Sequence, residues 1–133
     1  MGEVVMQSTP APNATAMLPS PDEYEISPAA LKALLDDDSA PDIRLVDCRE
    51  EEEFAICRID GAELIPLSVF GELGPKRLVS ADDERPIVVY CHHGMRSMSA
   101  TIFLRNKGRT DVWSLAGGIE LWSKDIDPSV PRY

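Results

Sequence analysis

The chain has 133 residues, 44% hydrophobic and 27% charged, enough for one domain whose core needs no disulfide or metal support. Its 23 acidic against 13 basic side chains give a net charge of −10. That excludes a general nucleic-acid binder and sets any anionic substrate against the overall field.

No apolar run reaches the length of a membrane span. Gly2 and Glu3 follow Met1 without a basic leader, so no secretory signal is expected. Cys48, Cys57 and Cys91 lack the spacing of a disulfide framework or a zinc site. The expected setting is therefore reducing and cytoplasmic, with no metal and no cofactor.

In chain order, residues 1–22 carry four prolines among small polar residues, and a disordered or loosely attached tail is expected there. The domain is expected over 23–133. EYEI reads as a short strand. SPAALKALLDDD reads as a helix with Ser27 at its N-cap, Pro28 in its first turn and Leu31, Leu34 and Leu35 on one face. IRLVDC is a compact apolar strand. The run Glu50–Ile56 places acids on a first helical turn, where the helix dipole favours them, and is read as a solvated helix start. AELIP predicts a strand, LSVFGEL a short helix, and PIVVYC the most β-branched strand. The helix beyond Cys91 stops at Gly108, after Arg105 and Lys107. DVWSLAGG and IELWSKDI supply a last strand and helix.

Continuous apolar strands alternating with helices predict an α/β fold: a central parallel sheet of about five strands with helices on both faces. Ligands in such sheets sit outside the carboxyl ends of the strands. Cys91 falls there, and so do Asp47, Cys48 and Arg49.

The segment CHHGMRS, residues 91–97, carries the chemistry. A cysteine between a strand end and a helix N-terminus meets inward N–H groups, with Gly94 free to take a conformation other residues resist. Arg96 adds a positive charge. Cys91 is therefore the candidate nucleophile, with a depressed pKa. Only four residues separate Cys91 from Arg96. The resembling loop of cysteine-dependent phosphatases is longer, so this shorter ring suits one extra sulfur better than a tetrahedral phosphate. His92 and His93 are neighbours on a tight turn, with no third histidine, and do not read as a metal site.

Four motifs in order, LVDCRE, FAICRIDGAELIP, YCHHGMRS and LAGGIELW, resemble those of the single-domain rhodaneses, over roughly residues 23–133. The ending DIDPSVPRY further resembles the rhodanese domain of enzymes that activate sulfur-carrier proteins. The resemblance implies a rhodanese-like fold and a sulfurtransferase. Cys91 would take sulfane sulfur from thiosulfate or a persulfide donor and pass it to a thiophilic acceptor. Cys91 and Arg96 would be catalytic, and His92, His93, Gly94, Met95 and Ser97 would form the substrate-binding loop.

Asp47 and Arg49 are expected to lock that loop and its neighbouring segments through buried or half-buried pairing rather than to touch substrate. The implied partners are a small anionic donor and a protein donor or acceptor, with no nucleic acid and no membrane, in a monomer. Cys48 stands where the family usually has an aliphatic residue, on a strand that family topology puts beside that of Cys91. It is read as core-filling, with a resolving thiol as the lesser alternative. Cys57 and Trp122 are read as packing. Two other functions remain open at this point: a phosphatase or arsenate-reductase-like enzyme, and a non-catalytic persulfide carrier or sensor.

Overall fold

The computed structural model describes residues 17–80 and 82–133. The expectation of a tail over residues 1–16 lies outside the described residues. Among the described residues five strands and five helices alternate: β1 (Glu25–Ile26), α1 (Pro28–Asp36), β2 (Arg44–Asp47), α2 (Glu51–Ile56), β3 (Glu63–Leu64), α3 (Leu67–Leu78), β4 (Ile87–Tyr90), α4 (Met95–Asn106), β5 (Val112–Leu115) and α5 (Gly118–Asp125). All strand pairs are parallel, in the order β1-β5-β4-β2-β3. This is the expected α/β sheet.

The period of two divides the strand side chains between two cores. Leu45, Val88, Tyr90, Trp113 and Leu115 pack with Leu31 and Leu34 of α1 and Ile119 and Trp122 of α5. Val46, Val89, Ile87 and Val112 pack with Phe70 and Leu78 of α3 and Ala100 and Leu104 of α4. The sheet is thus covered on both faces, which is why its strands read as unbroken apolar runs.

Two elements differ from expectation. The helix expected over LSVFGEL runs on through Pro75 to Leu78, because Phe70, Gly74 and Leu78 recur every four residues and are all buried. That tertiary contact outweighs the hydrogen bond the proline forgoes. A Cβ on Gly74 would lie 2.8 Å from the Phe70 ring, so the helix holds its own aromatic over that glycine. Residues 18–22, assigned to the tail by sequence, are fastened to the domain. Leu18 packs against the first core, Trp113 Nε1 donates to Ser20 O at 3.2 Å, and Arg105 donates to Pro21 O at 2.8 Å.

β2 and β4 pair in register from Arg44↔Ile87 to Asp47↔Tyr90. After β2 the chain adds β3 on one side, and after β4 it adds β5 on the other. The ends of these two central strands form the switch point at which α/β sheets bind ligands.

At the end of β2, Asp47 and Arg49 form a fully buried pair, with Arg49 Nη2–Asp47 Oδ2 at 2.7 Å and Nε–Oδ1 at 3.0 Å. The Arg49 N–H also donates to Asp47 Oδ1, and Nη2 donates to Cys57 O at 2.6 Å. This bears on stability because breaking a buried pair strands its partner's charge. Asp47→Ala is expected to destabilise the protein by about 3–5 kcal/mol in urea unfolding. A loss below about 1 kcal/mol would remove the pair from the account of the fold.

Candidate functional site

Cys91 follows β4 directly, and the residue is 1% exposed. The next residues turn on Gly94, whose φ of 109° lies in the left-handed region, and α4 begins at Met95. This turn aims backbone donors at the sulfur. Gly94 N lies 3.1 Å and Ser97 N 3.3 Å from Cys91 Sγ. Ser97 Oγ stands 3.5 Å from the sulfur and 2.7 Å from Ser114 Oγ on β5. With Ser114 donating to Ser97, the Ser97 proton is free for the sulfur or for Gly94 O, 3.3 Å away.

A second thiol lies beside the first. The Cys48 N–H donates to Tyr90 O at 3.0 Å, which continues the β2–β4 ladder one step past the strands and sets Cys48 beside Cys91. Both side chains lie in the same buried cluster. The neighbouring Cys48 thiol is the foremost cause that holds the Cys91 pKa down, to about 4. Burial opposes it, and the Ser97 hydroxyl and the Ser97 and Gly94 N–H groups reinforce it. Cys91 in turn, with burial, pushes the Cys48 thiol up. The two thiols are thus pushed apart, Cys91 down and Cys48 up.

The loop's outer side is held by a chain of charges. Arg96, in the first turn of α4, grips Glu53 of α2 with both terminal nitrogens, at 2.8 and 3.0 Å. Arg96 therefore spends its hydrogen bonds on Glu53, and the sulfur is held by neutral donors. The guanidinium beside Glu53 keeps that carboxyl at about 2. Tyr133 links this pair to the buried one: its hydroxyl donates to Glu53 Oε2 and accepts from Arg49 Nη1, both at 2.8 Å. Its ring stacks on His92 at 3.9 Å and an interplanar angle of 9°. His93 is exposed, with its ring 4.0 Å from that of His92. Burial, then the neighbouring His93, lowers the His92 pKa, which favours a neutral ring. Met95 projects into solvent, 82% exposed.

The structure thus brings Cys91, Gly94 and Ser97 together around one sulfur and sets Arg96, His92, His93 and Met95 around the rim. Asp47 and Arg49 lie behind the loop, buried and paired, without touching the sulfur. Sequence reasoning missed three contributors. Glu53 was read as part of a solvated acidic helix start; its signal was the capping geometry, in which the Glu50 N–H donates to Glu53 Oε1 at 3.1 Å. Ser114 hides in an apolar strand, and Tyr133 reaches the loop only because the chain folds back across the sheet end.

α5 closes the site from the side. Its N–H groups at Ile119 and Glu120 donate to Cys91 O and His92 O at 2.9 and 3.1 Å. A Cβ on Gly118 would fall 2.4 Å from His92 O, so glycine alone permits this approach.

The family model of the rhodanese-like domain matches residues 27–125. Among curated proteins, the chain is 37% identical over 79 residues to the thiosulfate sulfurtransferase GlpE of Pseudomonas aeruginosa, covering 59% of this chain and 68% of that protein. It is 35% identical over 108 residues to the probable adenylyltransferase/sulfurtransferase MoeZ of Mycobacterium tuberculosis, covering 81% of this chain and 26% of that protein. The chain spans only 26–30% of the length of the first curated relatives it matches. Among solved structures, the human single-domain sulfurtransferase TSTD1 superposes with a TM-score of 0.63 at 28% identity, over 80% of this chain and 98% of that one.

Ser97 ties the sulfur to the sheet through Ser114. Ser97→Ala is expected to lower stability by about 1–3 kcal/mol, because it leaves the buried Ser114 hydroxyl unpartnered. Urea unfolding at neutral pH checks this, and an unchanged midpoint would contradict it.

Proposed function

The chain belongs to the rhodanese-like domain family, and we propose that it is a sulfurtransferase that moves sulfane sulfur through a persulfide on Cys91. The observation that carries this reading is the ring of groups on one buried sulfur: the Gly94 and Ser97 N–H groups and the Ser97 hydroxyl. Such a ring stabilises a thiolate, and it also stabilises the anionic outer sulfur of a persulfide. The Cys91 thiolate attacks the outer sulfur of thiosulfate. The S–S bond of the donor breaks, sulfite leaves with the electron pair, and the sulfane sulfur stays on Cys91. A thiophilic acceptor then attacks that outer sulfur and returns Cys91 to the thiolate.

In this reading Arg96 draws the anionic donor to the rim of an otherwise acidic protein, sharing its charge between Glu53 and the substrate. His92 and His93 shape access. A thiosulfate or persulfide donor, a small thiol or protein acceptor, a reducing cytoplasm and a monomeric state belong to the same proposal. A phosphatase-like reading has less support, because only four residues separate Cys91 from Arg96.

The test is thiocyanate formation from thiosulfate and cyanide. Cys91→Ser is expected to abolish it. Arg96→Ala is expected to raise the KM for thiosulfate about tenfold while changing stability by less than about 1 kcal/mol, since its ion pair is partly exposed. Full activity in Cys91→Ser would overturn the reading. Stoichiometric sulfur loading without turnover would favour the carrier alternative.

A further inference from the structure

Cys48 is a second buried thiol that forms no covalent bond in the transfer reaction. We propose that Cys48 is a resolving thiol that converts the Cys91 persulfide into hydrosulfide and a Cys48–Cys91 disulfide, giving the protein a second activity, reductive release of its bound sulfur. The inference rests on the persulfide reading above.

The geometry supports it in three ways. The hydrogen bond from Cys48 N to Tyr90 O continues the parallel ladder, and neighbouring positions of adjacent strands lie about 4.8 Å apart, within the Cα range of disulfides. Both side chains enter the same buried cluster, on the α3 and α4 side of the sheet. Cys48 flanks Cys91 from the β2 side, whereas the Gly94 and Ser97 N–H groups approach the sulfur from the loop and α4. An outer sulfur held by that loop would therefore have Cys48 on the other side of the sulfur that carries it.

In the step, Cys48 Sγ attacks Cys91 Sγ. The bond between Cys91 Sγ and the outer sulfur breaks, and its electron pair leaves on the outer sulfur. That sulfur takes the Cys48 proton and departs as hydrosulfide. The two cysteine sulfurs are oxidised to a disulfide and the sulfane sulfur is reduced, so no external oxidant is required. A thiol or dithiol reductant then restores both cysteines by exchange.

With Cys91 1% and Cys48 0% exposed, the internal thiol is the nearest nucleophile whenever no acceptor has entered. Transfer and release thus compete for one persulfide. Cys57, the other buried thiol, lies 3.9 Å from Arg49 Nη1 and packs in the opposite core, so it is not a rival for the same sulfur.

The experiment starts from the full chain, reduced, freed of reductant and loaded with thiosulfate. Intact-mass spectrometry follows the protein over time, sulfide is trapped as it forms, and peptide mapping locates disulfides. Cys48→Ser is run in parallel. The wild-type protein is expected to gain one sulfur and then lose it, forming sulfide and a Cys48–Cys91 disulfide in equal amounts. Cys48→Ser is expected to hold its sulfur at least about tenfold longer. Equal persistence in the two proteins, or sulfide release without that disulfide, would overturn the inference and leave the sulfurtransferase reading standing. No sulfur gained by either protein would overturn the sulfurtransferase reading, and this inference with it.

Discussion

The convergence of neutral donors on the Cys91 sulfur is the constraint around which the rest of the molecule is arranged. A buried thiolate is costly unless donors surround it, because burial alone favours the neutral form. Here every donor comes from a different structural decision. Gly94 N depends on the left-handed turn, Ser97 N on a helix that begins at Met95, and the Ser97 hydroxyl on Ser114 of β5, while a parallel ladder brings β2 and Cys48 beside β4. Parallel pairing sets the ends of both strands level at the same edge of the sheet, and α4 then starts with its unsatisfied N–H groups facing the sulfur.

Charge is kept one layer back. The fully charged groups form a connected series: Asp47 to Arg49, Arg49 to Tyr133, Tyr133 to Glu53, and Glu53 to Arg96. Its inner end is sealed and fixes the segment after β2. Its outer end is partly exposed and holds the rim of the loop. The arrangement lets a positive side chain stand near the mouth of the site while the buried sulfur is stabilised by dipoles.

Much of this was legible in the sequence for identifiable reasons. The β-branched run at 87–90 ending on Cys91, and the shorter run ending on Asp47, marked two central strands and the edge where they stop. The Gly94 and Gly108 positions marked the turn and the helix stop. The buried pairing of Asp47 and Arg49 was also readable, since two opposite charges flanking one residue after an apolar strand have few other uses. What escaped were contacts between residues far apart in the chain. Glu53 lies among four consecutive glutamates, and only the spatial approach of α4 singles it out for Arg96. Tyr133 stacks on His92 across the end of the sheet, a contact that no local period encodes. The extension of α3 through Pro75 was missed because proline is a local stop signal, and burial of Leu78 is a tertiary term that overrides it.

The account stands or falls on the ionisation of one sulfur. The most direct measurement is a pH titration of thiolate ultraviolet absorbance, taken as the difference between the wild-type protein and Cys91→Ser. The predicted result is a single ionisation with a midpoint far into the acid range, near the value of about 4 that the surrounding donors set. The thiolate would then be fully formed at neutral pH. A midpoint close to that of an ordinary thiol, about 8.5, would contradict the account, because the ring of donors would then have no effect on the sulfur it encloses.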